Sequence, residues 1–131
     1  MRAREPVRAG EPVPEPDARR AFAVRLGSFR RGVALVPTAA NGDLWSGHRG
    51  GVRWIYAFTD ERAMASFAAR LERTPWRERS TYLALSGARL LDVVVPAAPE
   101  PTGVVVDVAG PVPLLLPPLR GIVPDAAAVD G

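Results

Sequence analysis

The stretch from residue 52 to residue 71, VRWIYAFTDERAMASFAARL, constrains the fold more than any other part of the chain. Its first half alternates β-branched and aromatic residues with other side chains, which favours a half-buried strand. Its second half follows a Thr-Asp-Glu sequence that can cap a helix, and it carries an apolar stripe at helical spacing: Ala63, Met64, Phe67, Ala68 and Leu71. The stretch therefore predicts a core strand that turns directly into a packed, capped helix.

One face of this predicted strand is almost wholly aromatic, because it carries Val52, Trp54, Tyr56 and Phe58. The helix that follows has its own apolar stripe, so we expect the rings to pack between the sheet and the helices as structural filler. Thr59 or Asp60 is expected to accept hydrogen bonds from the first free N–H groups of the helix.

The N-terminal half contains three further elements. Apolar residues at spacings of four, four and three from Ala18 to Phe29 predict a helix that begins at Asp17. VALVP at 33–37 is a short apolar run closed by proline, which is typical of a buried strand. A turn is predicted at Asn41-Gly42, and SGHRGG at 46–51 is predicted to be a glycine-rich loop.

The C-terminal half adds strands at 82–85, 103–108 and 114–116. Over ARLLDVVV at 88–95 helix and strand compete, because Leu90, Leu91, Val94 and Val95 have helical spacing whereas VVV favours a strand, and a short helix is the favoured interpretation. Short strands interspersed with helices predict an α+β fold, in which two or three helices pack on a single-layer mixed sheet of about five strands.

The length of 131 residues predicts one domain. Residues 1–16 alternate Pro, Glu, Arg and small residues without apolar periodicity, so a flexible arm is expected there. The domain is expected to span 17–120, and 121–131 to form a flexible tail.

The charge distribution does not favour nucleic acid as a partner. All 17 basic residues are Arg, and residues 1–31 carry eight Arg and four acidic residues, 32–79 carry seven and five, and 80–131 carry two and five. This is a mild polarity and not a stripe that tracks phosphates. The longest apolar region, at 103–119, is broken by Asp107, Gly110 and four prolines, so no membrane span is predicted. The N-terminus has early arginines but no hydrophobic run before its prolines, so no secretory signal is predicted and the cytoplasm is the expected location.

No catalytic or metal-binding pattern is visible in the sequence. The chain has no Cys and a single histidine, His48, without the matched partners that a metal site or a triad needs. Asp107 lies in an apolar strand, where alternation predicts that it faces solvent. We therefore expect no cofactor and no metal, and we favour a non-enzymatic protein.

Recognition of another protein is the leading hypothesis for function. Two tryptophans lie outside the predicted core strand, and we expect the contact patch to include Trp45, His48, Arg49 and Trp76. A symmetric homodimer is the expected form of self-association, since it would hide exposed strand edges.

Two alternatives from other classes stay open. The SGHRGG loop, with Arg49 and Arg53, is able to hold a phosphate or another anion, which would make the protein a small-molecule or nucleotide-binding regulator. RNA binding through the arginine-rich N-terminal third is a weaker alternative.

The order of several segments resembles the N-terminal domain of the SseB family, named for enhanced serine sensitivity. These segments are FRRGVALVP, the tract ending VRWIYAFTDERAMASFA, then SGARLLDVVVP, and finally GVVVDVAGPVPLLLPP. The resemblance covers 18 to about 119. It departs from the family pattern at 108–111, where Val-Ala-Gly-Pro replaces the Asn-Pro turn, and we expect this chain to lack the second domain of longer members.

The resemblance implies an accessory or regulatory role and identifies no catalytic residue. Some members of the family occur near bacterial secretion systems, which suggests a setting for the predicted protein partner. No site residue is transferred from the family to this chain.

Overall fold

A computed structural model of the chain describes residues 15–71 and 81–130. Helices and strands follow one another along these residues in the order α1 (Glu15–Arg31), β1 (Val33–Thr38), β2 (Ser46–Arg49), β3 (Val52–Ala57), α2 (Glu61–Arg70), β4 (Thr81–Ser86), α3 (residues 87–97), β5 (Thr102–Val106) and β6 (Leu114–Leu116). α3 is continuous and has a π-helical middle, Leu90–Val94. A 3-10 turn, Asp125–Ala127, follows β6. The predicted α+β class is confirmed.

The strands form two sheets instead of the single sheet predicted. The larger sheet has the order β2-β3-β5-β6, with β3 and β5 parallel and the other pairs antiparallel, and the smaller sheet pairs β1 with β4. Leu35 and Phe58 join the two sheets, because each N–H donates to the other carbonyl at 2.8 Å. β3 already has neighbours on both edges, so only the residue after its end is able to reach β1.

The main core lies between one face of the larger sheet and the helices α1 and α3. β3 contributes Ile55 and Ala57, and α3 contributes Leu90, Leu91 and Val95. The segment 88–95 is thus helical, as its spacing of leucines and valines predicted, and these residues face the core. No helix within residues 15–71 and 81–130 combines the length and the hydropathy that a bilayer crossing requires.

α1 and α3 approach each other closely at the end of α1. The Gly87 N–H donates to the Gly32 carbonyl at 3.1 Å, and a Cβ on Gly87 would overlap the carbonyl group of Phe29. Arg30 and Asp92 form an ion pair across this junction at 2.6 Å. The hydrogen bond from Arg30 lowers the pKa of the Asp92 carboxyl.

α2 packs on the opposite face of the larger sheet, where Leu35, Phe58 and Met64 form a second, smaller core. Asp60 is its N-cap, since its Oδ1 accepts a hydrogen bond from the Ala63 N–H at 2.8 Å. The predicted capped helix is thus confirmed.

The aromatic face of β3 behaves only in part as predicted. Phe58 is fully buried, but Trp54 and Tyr56 keep part of their surface exposed. The reason is that Ile55 and Ala57 occupy the face of β3 that meets the main core, and alternation turns Trp54 and Tyr56 to the other side.

The predicted SGHRGG loop is a strand followed by a tight turn. Ser46 to Arg49 form β2, and Arg49 pairs with Val52 of β3. Gly50 and Gly51 have φ values of 63° and 79°. Both central residues of a type I′ hairpin turn need positive φ, which glycine adopts without steric cost.

The predicted tail, residues 121–131, contributes to the main core. Ile122 and Val123 are buried there, and the Arg120 N–H donates to Asp130 Oδ1 at 2.9 Å. Local composition does not reveal this packing, because the contacting residues are distant in sequence. The predicted arm lies almost entirely outside the described residues.

Replacement of Gly87 by Ala is expected to lower the free energy of unfolding by about 1–3 kcal/mol, because a methyl group would be forced into the Phe29 backbone. Gly27→Ala is the matched control. Gly27 lies in the interior of α1 and meets only the flexible Arg31 side chain, so this variant should gain about 0.5–1 kcal/mol. Urea denaturation measures both, and equal effects of the two substitutions would contradict the close approach at Gly87.

Candidate functional site

The face of the larger sheet that points away from the main core carries two rows of residues, and we call it the outer face. One row runs Gly47, Trp54, Gly103 across β2, β3 and β5, and the other runs Tyr56, Val105, Leu115 across β3, β5 and β6. Residues directly opposite each other in a sheet share a face, so these two rows lie side by side.

Two glycines let the aromatic rings lie flat on the outer face. A Cβ on Gly103 would be 2.9 Å from Trp54 Cζ3, and a Cβ on Gly47 would be 2.9 Å from the Tyr56 hydroxyl. The Trp54 ring therefore leans over Gly103, and the Tyr56 ring extends over Gly47. Glycine inside a strand often marks such a close approach.

α2 covers one end of the outer face through Phe67. The Phe67 ring centroid lies 4.9 Å from Tyr56, 5.5 Å from Phe58 and 6.3 Å from Trp45. These separations fall within the range of favourable aromatic pairs. Trp45, which is half-buried, thus belongs to an aromatic cluster that fixes α2 to the sheet.

The rest of the outer face is an open groove of about 680 Å³. Trp54, Tyr56, Val105 and Leu115 line it, with Val108, Gly47, His48 and Arg49 completing its wall. Val105 is buried, whereas Leu115 exposes 57% of its surface. The groove is therefore an apolar surface bordered by basic residues.

The charged residues of the β2–β3 hairpin divide between its two faces. His48 pairs with Arg53, and Arg49 with Val52, so Arg49 shares the outer face while His48 and Arg53 point the other way. Arg53 Nε donates to Ser46 Oγ at 2.9 Å, and His48 Nε2 lies 3.1 Å from Glu100 Oε1. Arg49 and Arg53 therefore do not converge on one anion in the way that the anion-binding alternative requires.

Three of the five predicted binding residues lie at or beside the groove. Arg49 borders it on the outer face, His48 lies at its border with the ring turned to the other side of the sheet, and Trp45 lies beside it in the aromatic cluster. Arg53 lies behind the sheet, and Trp76 lies outside the described residues. Within the described residues, Arg49 has no hydrogen-bond or ion-pair partner.

Sequence reasoning missed the residues that form the floor, above all Trp54, Tyr56 and Leu115. One feature of the sequence could have indicated them. Ile55 and Ala57 are also apolar, so the face of β3 that carries them is able to pack on the core in place of the aromatic face. The residues described here hold no cluster of three or more His, Cys, Asp or Glu side chains that is suited to a metal ion.

Asp107, which follows β5, is hydrogen-bonded to Thr59 at the junction between β3 and α2. Its two carboxylate oxygens accept hydrogen bonds from the Thr59 N–H at 2.9 Å and the Thr59 hydroxyl at 2.7 Å. Its backbone has φ of 52°, a conformation that side chains other than Asn and Asp seldom adopt. The carboxylate thus holds the β3–α2 junction to the end of β5 and does not simply face solvent.

The described residues form a small α+β domain in which helices cover one face of the larger sheet and leave the other partly open. The chain belongs to the SseB family, since the family model described as SseB protein N-terminal domain matches residues 12–120. No curated protein and no solved structure shows a match to the chain.

Substitution of Asp107 by Ala is expected to lower the free energy of unfolding by about 2–3 kcal/mol, because it removes two hydrogen-bond acceptors and places Ala at positive φ. Asp107→Asn should cost only about 1 kcal/mol, since Asn tolerates this backbone conformation and keeps one acceptor oxygen. Denaturant titration of both variants measures these changes in the free energy of unfolding. Equal losses for Ala and Asn would contradict this account, since Asn alone keeps an acceptor oxygen and tolerates the positive φ.

Proposed function

We propose that this chain is a non-enzymatic protein-binding module, and that the groove on the outer face receives an apolar segment of a partner protein that carries a carboxylate. The observation that supports this most is the pair of rings, Trp54 and Tyr56, held flat beside the exposed Leu115. Aromatic residues are enriched at binding hot spots in protein interfaces.

The apolar floor favours a partner with aliphatic or aromatic side chains. Val105, Val108 and Leu115 present only hydrocarbon, and the rings beside them are supported from below by backbone. Burial of such a surface gains roughly 25 cal/mol for each Å² of apolar area removed from water. The floor needs no rearrangement to accept a partner, which lowers the cost of binding.

The charge at the border favours an acidic residue in the partner. Arg49 is exposed on the groove side, and it has no ion-pair partner among the described residues. Its guanidinium is able to bind a carboxylate in a bidentate manner. A contact of this kind at the rim chiefly sets orientation and the rate of association.

A single-stranded nucleic acid is the other class of occupant that aromatic rings and an arginine suggest. The groove fits it less well, because Arg49 is the one guanidinium among its described lining residues and most of its wall is apolar, whereas a nucleic-acid groove carries positive charge along its length. Membership of the SseB family makes a component of a bacterial secretion system the first partner to examine.

Leu115→Asp is expected to weaken partner binding by about 30-fold or more, since it places a charge at the centre of the apolar floor and opposes an acidic partner. Val129→Asp is the matched control, because Val129 exposes 58% of its surface against 57% for Leu115 and lies outside the groove. Partners retained by the unmodified chain and by Val129→Asp, but lost with Leu115→Asp, are then purified. Their affinities are measured by isothermal titration calorimetry.

Two results would contradict the proposal. Binding of the purified partner that survives Leu115→Asp at full affinity would place the contact elsewhere. Binding that falls steeply between low and physiological salt, and that involves nucleic acid instead of protein, would identify the other class of occupant.

Arg49→Glu should reduce the association rate several-fold and leave the fold unchanged.

A further inference from the structure

Among residues 15–71 and 81–130, β1 is the one strand that pairs with β4, and the other edge of β4 is open. β4 pairs with β1, and β1 in turn contacts Phe58 and Leu44, so β4 is the outer strand. Five of its six residues are exposed, and Leu85 alone is half-buried. Tyr82 and Leu83, which point to opposite faces of the strand, expose 40% and 47% of their surfaces.

The outer strands of the larger sheet are protected against edge pairing, whereas β4 is not. β6 is three residues long, and Pro113 and Pro117 flank it directly. β2 is four residues long and contains His48 and Arg49. Short length, proline and charge are the usual devices that keep a free edge from pairing with another chain. β4 has six residues, TYLALS, with neither proline nor charge.

β4 is also held in a defined position before any partner arrives. The Tyr82 hydroxyl donates to Glu61 Oε2 of α2 at 2.7 Å, and the hydroxyls of Thr38 and Thr81 are hydrogen-bonded to each other. The hydrogen bond to Glu61 raises the pKa of the Tyr82 hydroxyl. The open edge is therefore an ordered row of backbone donors and acceptors.

We propose that β4 pairs antiparallel with β4 of a second copy of this chain, about a two-fold axis, to give a continuous sheet β1-β4-β4-β1. A two-fold axis brings the same strand of each copy together. A charged strand would oppose this by placing like charges opposite each other, and β4 has no charge. The axis passes beside Leu83, so Leu83 of each copy lies directly opposite Leu83 of the other and Tyr82 pairs with Ala84.

The energetic gain of the pairing comes from the free edge of β4. Alternate residues of an outer strand direct their N–H and C=O outward, so pairing about an axis beside Leu83 satisfies roughly four backbone groups in each copy, those of Tyr82 and Ala84. It also covers Leu83, which no element of the described structure covers fully.

The first test measures molar mass by size-exclusion chromatography with light scattering. The unmodified chain is expected at twice its mass of 14.0 kDa. Leu83→Lys should shift it to the mass of one chain, because two ammonium groups would face each other near the axis. Val93→Lys is the matched control, since Val93 exposes 50% of its surface and lies on α3, and it should remain dimeric.

The second test follows amide hydrogen exchange of the unmodified chain at several protein concentrations, so it does not depend on whether Leu83→Lys folds. Protection of the β4 amides is expected to rise with concentration while that of β5 stays constant. A monomer at all concentrations would overturn the proposal. A folded Leu83→Lys that remains dimeric, or a dimer without added protection in β4, would also overturn it. A different protein strand bound at β4 of a monomeric chain would show that the edge serves another partner.

Discussion

The position of β3 at the centre of the larger sheet controls most of the structure. Its edges pair with β2 and β5, one face packs on the main core through Ile55 and Ala57, and the residue after its end joins the smaller sheet. Side chains of a strand alternate with a period of two, so a slip of one residue would exchange the two faces. Ile55 and Ala57 therefore fix Trp54 and Tyr56 on the outer face.

The groove exists because Trp54 and Tyr56 lie on the outer face and because α2 is too short to cover both of them. Ten residues of helix are enough to place Phe67 on Tyr56 and Phe58, but they leave Trp54 and Leu115 uncovered. Gly47 and Gly103 then allow the rings to lie flat, where their few rotatable bonds are already restricted. An apolar surface ordered in this way loses little conformational freedom when a partner covers it.

The strands β2, β4 and β6 each have an open edge among the described residues, and they differ in how well that edge is protected from pairing with another chain. Prolines border β6, and a histidine and an arginine lie in β2, whereas β4 carries only uncharged residues of moderate or high β-propensity, alanine apart. The groove and the free edge of β4 lie on different sheets. A partner in the groove and a second copy at β4 are therefore separate interactions with separate determinants.

The elements that sequence predicted correctly are those whose cause is local. Asp60 caps α2 because its carboxylate is three residues from the Ala63 N–H, and α3 is helical because its leucines and valines repeat at helical spacing. The SGHRGG segment was misread because its glycines suit both a loop and a strand beneath aromatic rings. The burial of Ile122 and Val123 was missed because no local pattern records a contact with distant strands.

The sequence by itself determined where β3 and α2 begin and end and which β3 residues share a face, since alternation and capping act over a few residues. Only the tertiary structure decided which of the two faces of β3 is fully covered, and hence that Trp54 and Tyr56 border an open groove. That choice depends on where α1, α2 and α3 pack, and on the proximity of Gly103 and Leu115, which lie about fifty residues or more beyond β3 along the chain.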